Sequence, residues 1–227
     1  MNNFFSLGFQ DCSSYIMYEF MKFFDFVNFL SFFVSFLVIF LIMFLYMNNY
    51  YYLVFSENNF LEIMWTLIPI IIMFAISLPS LFILYSIDFD NNYVFSVKIE
   101  GNQWYWSYDY SSFSLSINFD SYMVHNSDSF RLLEVDNRMV MPMNILSCLL
   151  VTSSDVIHSF SVPSLGFKVD AIPGRILMFS LMILKSGVFY GQCSEICGLN
   201  HSYMPIVIES VNLNCFLQWV SDKINNN

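Results

Sequence analysis

The stretch Gly191-Gln192-Cys193-Ser194-Glu195-Ile196-Cys197-Gly198-Leu199-Asn200-His201-Ser202-Tyr203-Met204-Pro205 gathers two thiols, an imidazole and a thioether in one short segment. A second imidazole, His158, follows the run Ser154-Asp155-Val156-Ile157 further upstream. These are soft ligands: Cys and Met favour monovalent copper, and imidazole suits copper in either oxidation state. The spacing Cys193-x3-Cys197-x3-His201-x2-Met204 puts the clustered donors on one loop, between a β-length run ending near Tyr190 and another starting near Pro205. Gly191 and Gly198 give that loop the freedom to turn sharply. His158, at the end of another strand, is expected to close the site from the adjacent loop.

A mononuclear blue-copper centre uses two His, one Cys and a weak axial Met, so this set has one thiolate too many for it. Two thiolates can instead bridge two copper ions, leaving one His for each metal. Met204 and one backbone carbonyl, most simply that of Glu195, then complete the two coordination spheres. Bridging spreads one electron over both metals and keeps the geometry nearly constant between oxidation states, which is what an electron relay needs. Two other readings stay open. A Cys2His2 zinc site uses both thiols and both imidazoles but leaves Met204 idle. A Cys193–Cys197 disulfide leaves the histidines unexplained. The function classes that follow are an electron relay, a membrane-anchored copper-delivery module and a structural β domain clipped by zinc.

Outward from the loop, the chain of 227 residues is 57% hydrophobic, 20% aromatic and only 11% charged. Soluble domains carry roughly 25% charged residues, so much of this chain faces something other than water. The deficit is local. No charge occurs from Phe26 to Met47 or from Ile63 to Ile87, and each run reaches the ~20 residues that a bilayer core requires. Both exceed the apolar region of a signal peptide, and Asp11, Glu19 and Asp25 stand where such a leader carries a basic cluster. The expected organisation is an N-terminal segment over 1–25, a transmembrane helical hairpin over 26–87 with spans at about 26–47 and 63–87, and a copper-binding domain over 88–227. Pro69 and Pro79 fall in the second span, which is therefore expected to pack against protein as well as lipid. The loop from Asn48 to Phe60 lacks Lys and Arg, and the N-terminal segment has only Lys22, so loop charge sets no orientation.

From Asp88 the texture changes to short runs of β length. They extend from Val94 to Ile99, Trp104 to Tyr110, Phe113 to Phe119, Arg131 to Val135, Ile145 to Val151, Ile176 to Ile183, Val188 to Tyr190 and Pro205 to Ile208. Breakers such as Asn91-Asn92, Asn126-Ser127-Asp128, Pro163, Pro173-Gly174 and Lys185-Ser186-Gly187 separate them. This half is long enough to bury a core of its own, and the stretch from Asn214 to Ile224 reads as a short amphipathic helix. The formal net charge of −10 repels nucleic acid and suits either a basic partner or plain solvation. Cys12, Cys148 and Cys215 have no local companion and read as buried or membrane-side apolar residues.

The chain resembles cytochrome c oxidase subunit II, and the residues carrying the resemblance extend over nearly its whole length. They are Gln103-Trp104-Tyr105-Trp106-Ser107-Tyr108-Asp109-Tyr110, the run from Arg131 to Arg138, Val162-Pro163-Ser164-Leu165-Gly166, Asp170-Ala171-Ile172-Pro173-Gly174-Arg175 and the segment from Gly191 to Gly198, with Trp65 to Pro69 and Leu78 to Leu81 in the second span. The resemblance implies a two-helix transmembrane hairpin followed by an all-β cupredoxin-like Greek-key barrel with a short C-terminal helix. It implies the dinuclear copper centre CuA, held by His158, Cys193, Cys197, His201, Met204 and the main-chain oxygen of Glu195. The Glu195 carboxylate is then expected to reach a magnesium ion shared with subunit I. Every ligand position is filled, unlike in the quinol-oxidising relatives. The implied role is to accept electrons from cytochrome c and relay them to the haem/copper catalytic subunit, which reduces oxygen to water and pumps protons. The implied location is the mitochondrial inner membrane, with both termini and the copper domain in the intermembrane space.

Further residues gain expected roles from the same resemblance. Trp104 matches the exposed indole through which electrons arrive, although strand alternation would group Trp104, Trp106 and Tyr108 on one core-facing side. Trp106 is expected to pack or couple near the copper. Glu62 stands at the mouth of a proton pathway or serves as an interfacial carboxylate. Asp109, Asp136 and Asp155 are candidates for an acidic docking patch, with Ser154-Asp155 offering one acid where the family often has two. His125 is expected to face solvent. Arg131, Arg138 and Arg175 either steady haem propionates and the subunit I interface or form ordinary salt bridges.

Overall fold

The computed structural model describes residues 8–48, 57–88, 92–110, 117–125 and 130–226. Most of the loop between the apolar runs, the breakers at Asn91 and at 126–128, and the first part of the Phe113 to Phe119 run lie outside those residues. The chain divides into two compact units, one formed by Glu19–Tyr85 and the other by Met1–Tyr18 with Ser86–Asn227.

Two long helices make the first unit. Helix α1 spans Tyr15–Asn48 and helix α2 spans Asn59–Asp88. At 1.5 Å per residue they measure ~50 and ~45 Å, more than the ~30 Å of a bilayer's hydrocarbon core. Helix α1 starts well before the apolar run because Ser14 caps it, its Oγ accepting the Met17 N–H at 3.0 Å. The Glu19–Lys22 ion pair at 2.9 Å then suits the helical spacing of the charged part. Asn58 caps α2, its Oδ1 accepting the Leu61 N–H at 3.1 Å, and the helix runs on through Pro69 and Pro79. Large side chains such as Phe32, Phe36, Ile71 and Phe74 point outward along both helices. That much apolar surface requires a cover other than water.

Among the described residues, the second unit is built from ten strands in two sheets. One sheet runs β3 (Ile117–Ser121), β2 (Tyr105–Tyr110), β1 (Phe95–Asn102), β5 (Ser147–Ser153) and β8 (Leu177–Leu181). The other runs β4 (Met139–Pro142), β10 (Pro205–Val211), β9 (Gly187–Cys193), β6 (His158–Val162) and β7 (Phe167–Ala171). Pairing is antiparallel except between β1 and β5 and between β10 and β4. Alternation turns Val97 and Ile99 of β1, and Trp106, Tyr108 and Tyr110 of β2, into the core. Trp106 meets Phe160 edge-on at 5.1 Å across the sandwich. Helix α3 (Leu213–Asn226) lays Phe216 against Phe95 at 5.4 Å and Trp219 against Tyr110 at 5.2 Å. Burying a large apolar side chain fully stabilises by roughly 1.5–3 kcal/mol, so this aromatic stack adds substantially to the cohesion of the sandwich.

Residues ahead of α1 are fastened to the same sandwich. The Ser13 N–H donates to the Ser164 carbonyl at 3.0 Å, the Leu184 N–H to the Ser13 carbonyl at 2.8 Å, and the Ser14 hydroxyl to the Leu165 carbonyl at 2.6 Å. Met17 is buried against Gly166.

Three sequence expectations are corrected. The run from Arg131 to Val135 forms no strand: Leu132 sits at φ 63° and the Leu133 N–H turns back to Phe130, leaving only an isolated bridge from Val135 to Met123. Strands β4, β6 and β7 fall outside the runs read as strands from the sequence, because each is only four or five residues long; β4 is apolar throughout, whereas β6 and β7 alternate but over too short a span to stand out. Cys215 is exposed, unlike buried Cys148; it precedes inward-facing Phe216 by one position and so lies about 100° around the helix from it.

Candidate metal centre

Strand pairing assembles the site. Strand β9 ends in Cys193 and β6 begins at His158, with Phe160 opposite Cys193 in register. His158 Nδ1 consequently lies 3.9 Å from Cys193 Sγ. The loop to β10 returns Cys197 Sγ to 3.9 Å from Cys193 Sγ. Beyond it, His201 Nδ1 stands 3.4 Å and Met204 Sδ 3.5 Å from Cys197 Sγ, while the Glu195 carbonyl lies 3.4 Å from Cys193 Sγ. His158, Cys193, Cys197 and Met204 are buried, and His201 and Glu195 are half-buried. All six predicted donors are thus brought together.

Their order is a series with one imidazole beyond each sulfur. His158, Cys193 and Cys197 offer donors within 4.8 Å of one another, and His201 joins through Cys197. Donors grouped around a single tetrahedral zinc would all sit within about 4 Å of each other. The sulfurs are too far apart for a disulfide, whose bond is about 2.05 Å, and both thiols are free. A soft set of two sulfurs, two imidazoles, a thioether and a carbonyl, buried and split into two matched ends, fits a pair of copper ions.

Electrostatics prepares the sulfurs unequally. Burial pushes the Cys193 thiol up, but hydrogen bonding to His158 and the adjacent backbone outweighs it and brings it down to about 7. Cys197 is pushed up to about 12 by burial and by the negative charge of Cys193. His158 is raised, because Cys193 and Asp155 together outweigh its burial. Asp155 is lowered, the His158 ring and the N–H groups of Val156 and Gln103 overcoming its desolvation.

The turn between β1 and β2 forms one wall. Trp104 stands in this turn, ahead of β2, so it does not share the inward side with Trp106 and Tyr108. It is half-buried, and its indole N–H donates to the Cys197 carbonyl at 3.2 Å, where the Gln103 side-chain amide also donates at 2.8 Å. Trp106 lies behind the site, 5.9 Å from the His158 ring, and donates to the Met204 carbonyl at 3.3 Å. Gly198, at φ 120°, makes the sharp turn expected of it. Gly191 does not: it lies inside β9, and a Cβ there would come 2.1 Å from the Ser161 carbonyl oxygen, so close strand approach is what excludes a side chain.

The other candidates lie elsewhere. Asp155 accepts from Gln103 N–H at 2.7 Å and meets His158 Nε2 at 2.8 Å. The sequence signal for that link was the i,i+3 spacing. Asp109 faces outward on β2, opposite Lys98. Exposed Asp136 accepts from the N–H groups of Tyr122 and Asn137 at 2.8 and 2.7 Å. Glu62 occupies the first turn of α2. His125, Arg131 and Arg175 are exposed. Arg138 is engaged by Glu134 and Glu209 at 3.4 and 3.3 Å, an ordinary salt-bridge cluster within its own chain.

Comparison with known proteins matches the β unit. The family model for the periplasmic domain of cytochrome c oxidase subunit II matches residues 95–211, and the model for that subunit's transmembrane domain matches residues 2–83. Cytochrome c oxidase subunit 2 of Apis mellifera ligustica is 50% identical over 226 residues, covering 99% of this chain and 100% of the bee protein. The Drosophila subobscura protein of the same name is 46% identical over 229 residues, with coverage of 99% and 100%. Among solved structures, the periplasmic domain of subunit II of the Bradyrhizobium japonicum cytochrome oxidase superposes with a TM-score of 0.57 at 44% identity, covering 60% of this chain and 96% of that one. Helices, sandwich and full-length relatives agree: the chain belongs to the cytochrome c oxidase subunit II family.

Proposed function

We propose that this membrane subunit of a terminal oxidase receives electrons at a dinuclear copper centre, CuA. The observation that carries the reading is the series His158, Cys193, Cys197, His201, with one imidazole beyond each sulfur. When bound, a copper pair would supply one-electron chemistry, so that this subunit accepts electrons from cytochrome c and relays them to the haem/copper catalytic subunit, where oxygen is reduced to water and protons are pumped. Cys193, Cys197, His158, His201, Met204 and the Glu195 carbonyl would hold the metal pair, with both thiolates shared between the two ends and one imidazole at each. Burial of the sulfurs and of His158 excludes water from the site.

Trp104 receives the electron, and its indole is anchored on the Cys197 carbonyl. Gln103 holds the same oxygen. The Glu195 carboxylate would hold a magnesium ion shared with subunit I. Asp109, Asp136 and Asp155 attract basic cytochrome c, Asp155 in addition to holding His158. Glu62 stands at the mouth of a proton path into subunit I. The working division is an N-terminal segment over 1–25, a hairpin over 26–87 and a copper domain over 88–227. The membrane is the mitochondrial inner membrane, with both termini and the copper domain in the intermembrane space.

Electron paramagnetic resonance of the purified oxidase tests the reading. A signal from one unpaired electron shared by two equivalent coppers, lost in Cys193→Ser and in Cys197→Ser, supports it. A silent single cuprous ion would favour metal delivery, and zinc in place of copper a structural clip; either result overturns it.

A further inference from the structure

Strand β1 turns every second residue into the core: Phe95, Val97 and Ile99 are buried there. The next inward position is Gly101, whose φ lies outside the left-handed region. Backbone conformation therefore does not call for glycine at this position. Space does. A Cβ on Gly101 would come 2.9 Å from His158 Cδ2, 3.0 Å from its Cγ and 3.1 Å from its Cβ. The imidazole is held on its other sides as well. Trp106 stands edge-on at 5.9 Å, and the Asp155 carboxylate meets Nε2 at 2.8 Å. The Gly101 carbonyl is pinned in turn, accepting from Ser153 Oγ at 3.1 Å and from the Ser154 N–H at 3.2 Å.

We propose that Gly101 is a positioning residue: its bare backbone is the seat of the His158 ring and sets the direction from which Nδ1 approaches the metal. The inference rests on the copper-pair reading above. A glycine within a strand commonly marks a place where another group approaches closely, and here that group is a ligand. A methyl at this position has to displace the ring. Trp106 and Asp155 block a sideways shift, so the ring turns about its Cα–Cβ bond and swings the Nδ1 lone pair off its line. The His201 end is untouched, and the two ends of the copper pair become unequal.

The test compares assembled oxidase carrying Gly101→Ala, Val97→Ala or neither. Gly101→Ala is expected to keep its copper content while losing the evenly spaced hyperfine pattern of two equivalent coppers, with a shifted midpoint potential. Val97→Ala, four residues along the same strand, lowers the unfolding temperature and leaves the copper signal as in the unaltered protein. An unchanged signal in Gly101→Ala overturns the proposal. If that variant does not assemble, Ser153→Ala decides, because it removes one of the two donors that pin the Gly101 carbonyl: an altered hyperfine pattern supports the seat and an unaltered one removes it. Absence of the paired-copper signal from the unsubstituted oxidase would instead sink the copper reading itself, a failure distinct from the others.

Discussion

Asp155 and His158 grip each other through Oδ1 and Nε2 at 2.8 Å, while the ring's Nδ1 faces Cys193 Sγ. A carboxylate acceptor keeps the ring proton on Nε2 and leaves the Nδ1 lone pair free for a metal. Asp155→Ala should therefore weaken copper binding by about 10–100-fold, the usual cost of losing such a partner. Competition with a chelator measures it. An acid that served docking alone would leave copper affinity unchanged and raise KM for cytochrome c, most strongly at low ionic strength.

Trp104→Ala should slow electron transfer from cytochrome c by orders of magnitude and leave the copper spectrum intact. Stopped-flow oxidation of reduced cytochrome c gives the rate. Undiminished turnover would return Trp104 to a packing role against Gly198, where a Cβ would lie 3.1 Å from the indole.

Gly191→Ala meets backbone, not a side chain that can swing aside: its Cβ would lie 2.1 Å from the Ser161 carbonyl oxygen. Overpacking of this kind destabilises by about 1–3 kcal/mol or more. The expected result is a lower unfolding temperature, seen equally in copper-depleted protein. A drop confined to copper-loaded samples would refute the steric account.

Tyr108 and Tyr110 are fully buried, and burial pushes both phenols well above their ordinary value. The folded state holds these protons more tightly than the unfolded chain, whose tyrosines titrate near about pH 10. The associated stability is complete below that pH and is lost progressively above it. Tyrosinate absorbance from these two rings should accordingly appear only together with loss of tertiary structure. Ionisation ahead of unfolding would show that the core admits hydroxide.

The metal ligands were legible in the sequence because five of the six share one short stretch and the chemistry of their side chains is rare. The helices were legible because no charge interrupts them. The alternation of Trp106, Tyr108 and Tyr110 gave the core face of β2. What escaped reading was non-local. Asp155 looked like a surface acid because nothing in its neighbourhood announces a contact with Gln103, 52 positions away. Trp104 looked like part of β2 because alternation does not reveal where a hairpin turns. Gly191 resembled a turn residue because its obstacle, the Ser161 carbonyl, belongs to a neighbouring strand.

The contact between Gln103 and Cys197 joins residues 94 positions apart, so it can form only after both sheets have come together. Until then only their own loop holds the two thiols in place, and the wall that Trp104 and Gln103 put beside Cys197 is missing. The walled site is therefore a late feature of folding, complete only once the two sheets are docked.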